Sequence, residues 1–255
     1  MPRTFWKGAI SFGMVTIPVR MSTAIDVKTP IFSFLHEKCQ TRPKQVLYCE
    51  KDDEYLTRGE TVKGYEYAKD RFVVLNDEDF EKVPVKTLHT IDILGFSRID
   101  EIDIIYYDGT HYLEPEAMGL KPFILLRNVL DKKGLSAIAK VAFARREHLC
   151  CLRPYNSILA LHRLHYQASI LSPNDMKPDE VELKDAEMEM AEKLVDAMTI
   201  GFKPNEYHDD YTAALLKLIE AKLQGIELQA PEIPQAEIED LMEALRQSVT
   251  AAVKH

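Results

Sequence analysis

The hydrophobic pattern changes period along the chain. From Phe5 to Val19, apolar and small residues alternate loosely around Gly8 and Gly13, the period-two signature of half-buried strands. The run Ile17-Pro18-Val19-Arg20-Met21-Ser22 continues as a strand. Pro18 has no amide proton to give to a ladder, so it points to an edge or a bulge. Trp6, Ile10, Phe12, Val15 and Ile17 are the core candidates of this stretch. Ile31–Leu35 reads as a further short apolar strand. Residues 36–70 mix basic, acidic and aromatic positions without sustained helical periodicity, which predicts an excursion of short hairpins with Val46-Leu47-Tyr48 and Val62–Tyr67 as candidate strands.

Asn76-Asp77-Glu78-Asp79-Phe80 carries a capping residue followed by acids in a first turn, so a short helix is expected there. Ile91–Phe96 and Ile102–Tyr107 read as strands, with Asp108-Gly109 a turn signal after the second. Phe123–Leu130 predicts a helix that Lys132-Lys133-Gly134 would end, because cations and a glycine suit a helix C-terminus. Ala137–Phe143, Leu149–Leu152 and Ile158–Leu161 read as three neighbouring strands, the last two joined by the turn Pro154-Tyr155-Asn156-Ser157.

After Pro173 the spacing becomes helical. Val181, Met188, Ala191, Leu194, Val195 and Met198 fall near one helical face. Tyr211–Leu223 predicts a second amphipathic helix ending at Gly225, and residues 229–235, with Pro231 and Pro234, read as a linker. Ile238, Leu241, Met242, Leu245 and Val249 then form a terminal apolar stripe. The fold class is therefore α+β: a β-rich body over 1–175 with an excursion at about 36–70, a helical arm over 176–228, and a linker with a terminal helix over 229–255.

No apolar run approaches the roughly 20 residues needed to span a bilayer, and the opening residues lack the apolar core of a signal peptide. The four cysteines, two of them adjacent, do not form a disulfide framework. These features predict a cytoplasmic protein with no membrane partner. The net charge of −9 is unevenly spread. Residues 1–44 carry seven Lys/Arg against two Asp/Glu, and residues 121–174 carry nine against two. Residues 45–120 carry eight against eighteen, and residues 175–255 eight against nineteen. Two basic blocks that met in space would make a phosphate-facing surface; otherwise they are uneven solvated surface.

Chemical motifs are weak. Gly8 and Gly13 match neither a dinucleotide fingerprint nor a P-loop, so no nucleotide cofactor is expected. Asp100, Asp103 and Asp108 resemble a nuclease carboxylate cluster only in lying close together in sequence, and a solvated acidic face accounts for them better. His162 and His165 lack the Glu of H-E-x-x-H, and Cys150-Cys151 lacks both C-x-x-C spacing and a partner base. His36, Cys39, Cys49 and Asp52 give H-x2-C-x9-C-x2-D, a weak candidate zinc site, since structural zinc prefers Cys and His.

One segment is more specific. Trp6-Lys7-Gly8-Ala9-Ile10-Ser11-Phe12-Gly13-Met14-Val15-Thr16-Ile17-Pro18-Val19 is very similar to the opening of bacterial Ku proteins. Three further stretches agree in order: Tyr106-Tyr107 with Tyr112-Leu113-Glu114-Pro115, then Ala137 to Pro154 around Ala144-Arg145-Arg146-Glu147, then Tyr207-His208-Asp209-Asp210-Tyr211. The resemblance implies a β-barrel core with a bridge. It implies a homodimer whose two bridges ring duplex DNA ends in non-homologous end joining, without catalysis, and it implies recruitment of the ATP-dependent DNA ligase D. Candidate DNA contacts are Lys7, Arg20, Lys38, Arg42, Lys44, Arg58 and Lys63, with Lys140, Arg145, Arg146 and Arg153 from the second block. Arg145 and Arg146, adjacent on a strand, should point to opposite faces. By the same resemblance the stripe from Ile238 to Val249 is the ligase-docking helix. Some Ku relatives carry a Cys-rich zinc-like element in the bridge, where Asp52 here replaces an expected cysteine. A metal-dependent nuclease using the acidic block and an adaptor acting through the terminal helix are the alternatives.

Overall fold

Seven strands close on themselves, and in this computed structural model residues 3–83, 87, 89–143, 146–173, 176, 178–179, 181–226 and 241–252 are described. β1 (Thr4–Phe12) and β2 (Val15–Thr23) form a hairpin turning at Gly13-Met14. Along β2 the alternation is clean: Ile17, Val19 and Met21 are buried and Arg20 is exposed. Of the expected core of this hairpin, Ile10 and Ile17 are fully buried and Trp6 packs partly buried against the core. Phe12 and Val15 are not core: they sit at the hairpin tip, 40% and 44% exposed.

β2 lies between β1 and β8 rather than at an edge. Pro18 is tolerated because the pairing with β8 stops at Val19 opposite Pro115, so no β8 residue faces it. Its carbonyl accepts instead from the Glu116 amide at 2.9 Å. On its other side Pro18 is opposite Ala9, whose own amide turns away to the His89 carbonyl at 3.0 Å.

The excursion that follows holds two small hairpins, β3 (Leu47–Cys49) with β4 (Glu54–Leu56) and β5 (Lys63–Ala68) with β6 (Arg71–Leu75), as the sequence predicts. None of their residues is buried. Ile31–Leu35 is irregular rather than a strand, and Ile31, Phe32 and Phe34 are largely exposed. Among the described residues no strand offers it a ladder, and an apolar run alone does not make one. Helix α1 (Asp77–Glu81) begins where expected, capped by the Asn76 side chain accepting from the Asp79 amide.

β7 (Thr90–Arg98) returns to the barrel, and β8 (Tyr107–Pro115) follows two short 3-10 turns at Ile99–Glu101 and Ile104–Tyr106. Ile102–Tyr106 is thus not the expected strand, and Asp108-Gly109 is not a hairpin turn. Gly109, at φ +68°, is the extra residue of a bulge: His162 is opposite Thr110 while Arg163 is opposite Asp108. Asp-Gly supplies the same left-handed backbone to a bulge as to a turn, so the dipeptide alone does not separate them.

Helix α2 (Leu120–Lys133) ends at Gly134 in the left-handed conformation, as its sequence predicts. β9 (Leu135–Phe143), β10 (Arg146–Tyr155) and β11 (Ile158–Leu164) are the three expected neighbouring strands. The barrel order is β1-β2-β8-β11-β10-β9-β7, with every pair antiparallel except the parallel closure of β7 on β1. Inward residues from all seven strands meet Phe123, Leu126 and Leu130 of α2 in one core. α3 (Asp185–Met198), α4 (Asp210–Leu223) and α5 (Leu241–Ala252) follow. The chain divides into two compact units, one of residues 1–28 and 33–172, the other of residues 29–32 and 173–255. The expected linker at 229–235 lies outside the described residues.

The parallel closure is tight at Gly8. A Cβ there would lie 2.3 Å from the His89 carbonyl oxygen and 2.3 Å from the Trp6 ring. Gly8→Ala is expected to destabilise the fold by about 1–3 kcal/mol, as other overpacked sites do. Thermal denaturation measures this, and an unchanged midpoint would contradict the close approach.

Candidate nucleic-acid interface

The outward face of the barrel carries cations on consecutive strands. Lys7 on β1 is directly opposite Arg20 on β2, and both are exposed. Arg20 alternates with buried Val19 and Met21, so its side chain points away from the core. On β9, Lys140 stands between inward Ala139 and Val141 and therefore also points outward. β2, β1, β7 and β9 are neighbours in that order, so Arg20, Lys7 and Lys140 share one arc of the barrel wall.

Carboxylates interrupt this arc. Arg20 is also opposite Glu114 on β8, and Lys140 is opposite Asp92 on β7. Lys140 Nζ lies 2.9 Å from Glu147 Oε1, which raises the lysine pKa and holds the side chain. Elsewhere, Arg163 pairs with Asp108 at 3.1 Å across the bulge. Two chain segments of opposite charge are thus interleaved by strand pairing, and the excess of cations over 121–174 is partly neutralised on folding.

Arg153 has a structural partner as well. Its Nε donates to His162 Nε2 at 2.7 Å, and its guanidinium lies over the Tyr155 ring. Because an arginine nitrogen only donates, His162 Nε2 is unprotonated and the ring proton sits on Nδ1, which donates to Thr110 Oγ1 at 2.9 Å. Burial first, then the Arg153 charge, lowers the His162 pKa to about 4. His162 is a neutral, nearly buried group bracing Arg153, while His165 is exposed. Arg146 opens β10 at an exposed position, on the same alternation as buried Cys150 and Leu152, and so stands at the barrel rim. Arg145 lies outside the described residues.

In the excursion, Lys38, Arg42, Lys44 and Arg58 are exposed. Lys63 pairs with Asp77 at 3.1 Å and lies 4.7 Å above the Phe80 ring. The four zinc-site candidates separate into two pairs. His36 Nδ1 is 3.0 Å from Cys39 Sγ, and Cys49 Sγ donates to Asp52 at 3.2 Å. Among the described residues no three His, Cys, Asp or Glu side chains are grouped to hold a metal. Hydrogen bonds from Thr41 first, then His36, lower the Cys39 pKa to about 7. Cys150 and Cys151 are buried, and burial pushes both thiols up.

The three aspartates of the acidic block do not form one cluster, although Asp100 and Asp103 line a common cavity with Arg153 and His162. Asp100 is held by Arg98 through two hydrogen bonds of 2.6 and 2.9 Å, Asp103 caps a 3-10 turn by accepting from the Ile105 amide, and Asp108 pairs with Arg163. Each carboxylate has a separate structural task.

The sequence profile described as the Ku70/Ku80 beta-barrel domain matches residues 11–190. The chain belongs to the Ku family. It is 40% identical to the non-homologous end joining protein Ku of Symbiobacterium thermophilum, across 98% of this chain and 63% of that relative, which is the longer of the two. It is 39% identical to the Ku protein of Solibacter usitatus, across 99% and 95% of the two chains, and 38% identical to that of Archaeoglobus fulgidus, across 98% and 99%. No helix among the described residues is long and apolar enough to cross a membrane.

An apolar groove of about 460 Å³ escaped the sequence reading; it lies between the β1–β2 hairpin tip, Phe96 and α2, with Leu125 and Val129 in its wall. Its signal was present in α2, which carries exposed Leu125 and Val129 besides its buried stripe.

The His162 shift predicts a pH dependence. An unfolded chain protonates this histidine near 6.5 and the folded one near 4. The folded state therefore binds fewer protons across that window, and stability falls as the pH drops through it. Melting midpoints measured from pH 7 to pH 4 should decline, and the decline should be shallower in His162→Gln.

Proposed function

We propose that the chain binds ends of double-stranded DNA without sequence preference, as a homodimer, in non-homologous end joining, and that it recruits an ATP-dependent DNA ligase. The observation that carries this reading is the near full-length similarity to proteins named for that pathway. A clamp that accepts any broken end must hold phosphate and sugar rather than base edges. Outward Lys7, Arg20 and Lys140 suit that task, as do the exposed Lys38, Arg42, Lys44 and Arg58 of the excursion. Lys63, Arg146 and Arg153 stand as further contacts of the same kind, with Arg145 next to Arg146 in sequence.

A second copy accounts for the state of the excursion. Tyr65, Phe72 and Val74 of β5 and β6, and the segment with Ile31, Phe32 and Phe34, expose large apolar side chains. An isolated two-stranded hairpin is marginal in water, and a partner copy would cover part of this surface. No catalytic step belongs to the reading, because Asp100, Asp103 and Asp108 are each engaged elsewhere. Ligase recruitment is assigned to the terminal helix, with Ile238, Leu241, Met242, Leu245 and Val249 on its apolar stripe.

A threading ring should bind linear duplex and fail on covalently closed circles. Counting only Lys7, Arg20 and Lys140 of each copy, about six phosphates are neutralised and affinity should fall about a thousandfold between 50 and 200 mM salt. Arg20→Ala, which removes one contact per copy, should flatten the log–log salt slope by about two units. A gel-shift series on linear and circular DNA measures both effects, and equal binding to circles would sink the threading model.

A further inference from the structure

The terminal helix is not free in the folded chain. α5 packs on α3, and its half-buried residues are Met242, Leu245 and Val249, spaced i, i+3, i+7. On α3 the half-buried residues are Glu187, Met190, Ala191 and Leu194, again a single helical stripe. The two stripes complement each other, so three of the five proposed ligase anchors are already in use. Ile238 and the Leu241 side chain lie outside the described residues.

α5 leaves a second apolar strip of α3 uncovered. Met188 is 46% exposed and Val195 64%. Together with Ala191, Glu192 and Asp196 they line a shallow groove of about 350 Å³. Its floor is apolar, its margin carries two carboxylates, and among the described residues no cation lines it. Lys193, between those carboxylates in sequence, is paired with Glu189 at 2.7 Å. Residues 175–255 hold nineteen Asp/Glu against eight Lys/Arg, so the surroundings repel DNA and favour a cationic protein surface.

We propose that the ligase-recruiting surface is the α3–α5 pair acting as a unit. α5 braces α3, and a cationic amphipathic segment of the ligase lays its apolar residues on Met188, Ala191 and Val195 and its Lys or Arg residues against Glu192 and Asp196. This inference rests on the ligase-recruitment reading above and moves the contact from the buried stripe of α5 to the open strip of α3.

The test uses the full chain, linear duplex DNA and the purified ATP-dependent ligase. Val195→Glu changes an exposed position, so helix content by circular dichroism should be unaltered and affinity for linear DNA should stay within about twofold. Stimulated joining should fall about tenfold or more, as for loss of one interface anchor. Glu192→Lys combined with Asp196→Lys should reduce joining similarly and abolish the salt dependence of ligase capture. Normal joining by Val195→Glu, alongside lost joining on deletion of residues 241–255, would overturn the composite surface and leave α5 as the sole recruiter. A halved particle mass for Val195→Glu in light scattering would overturn it in favour of a contact between copies. Unchanged joining on deletion of residues 241–255 would instead refute the recruitment reading itself.

Discussion

A sheet becomes a barrel only if its last strand can reach its first, and here that contact is parallel and short. β7 meets β1 over Ala9, Ile10 and Ser11, opposite Thr90, Ile91 and Asp92. Approach at this seam depends on Gly8, where the chain before β7 lies against bare backbone. Closure removes both sheet edges at once and lets seven strands share one core with α2. It also sets β2, β1, β7 and β9 side by side, which is what gathers Arg20, Lys7 and Lys140 on one wall. The charge distribution of the barrel is therefore a consequence of its topology.

That topology mixes charges that the linear chain keeps apart. The acidic segment supplies β7 and β8, the basic one supplies β9, β10 and β11, and each acidic strand is laddered to a basic one. Asp92 meets Lys140 and Asp108 meets Arg163 as a result. Ion pairs exposed to this degree add little stability. Their larger effect is to hold side chains in place and to moderate the field of the barrel wall.

Much of the fold was legible in the sequence because its signals are local. The alternation of β2, the Asn76 cap, the Gly134 stop and the three strands after it each follow from a few adjacent residues. The failures concern partners far away in sequence. Ile31–Leu35 is apolar enough for a strand but has no neighbour to pair with, and Asp108-Gly109 turns out to be a bulge because β11 runs past it. Pro18 sits within an internal strand because β8 ends one residue short of it. The candidate interface was legible only as residue types. That Lys140 is tied to Glu147, that Arg153 leans on a neutral His162 and that the zinc-site candidates separate into His36–Cys39 and Cys49–Asp52 all depend on contacts no spacing rule encodes.

The two hairpins of the excursion contain no buried residue, although they are regular enough to pair strand to strand. Backbone hydrogen bonds without a packed face open at little cost. In a lone chain the amides of β3 to β6 should exchange with solvent long before those of β9 or β10, and a protease should find its first cut there. The same region would then act as a gauge of assembly. Whatever covers Tyr65, Phe72 and Val74 would slow that opening, because burial of these side chains gives the paired strands the packed face they lack.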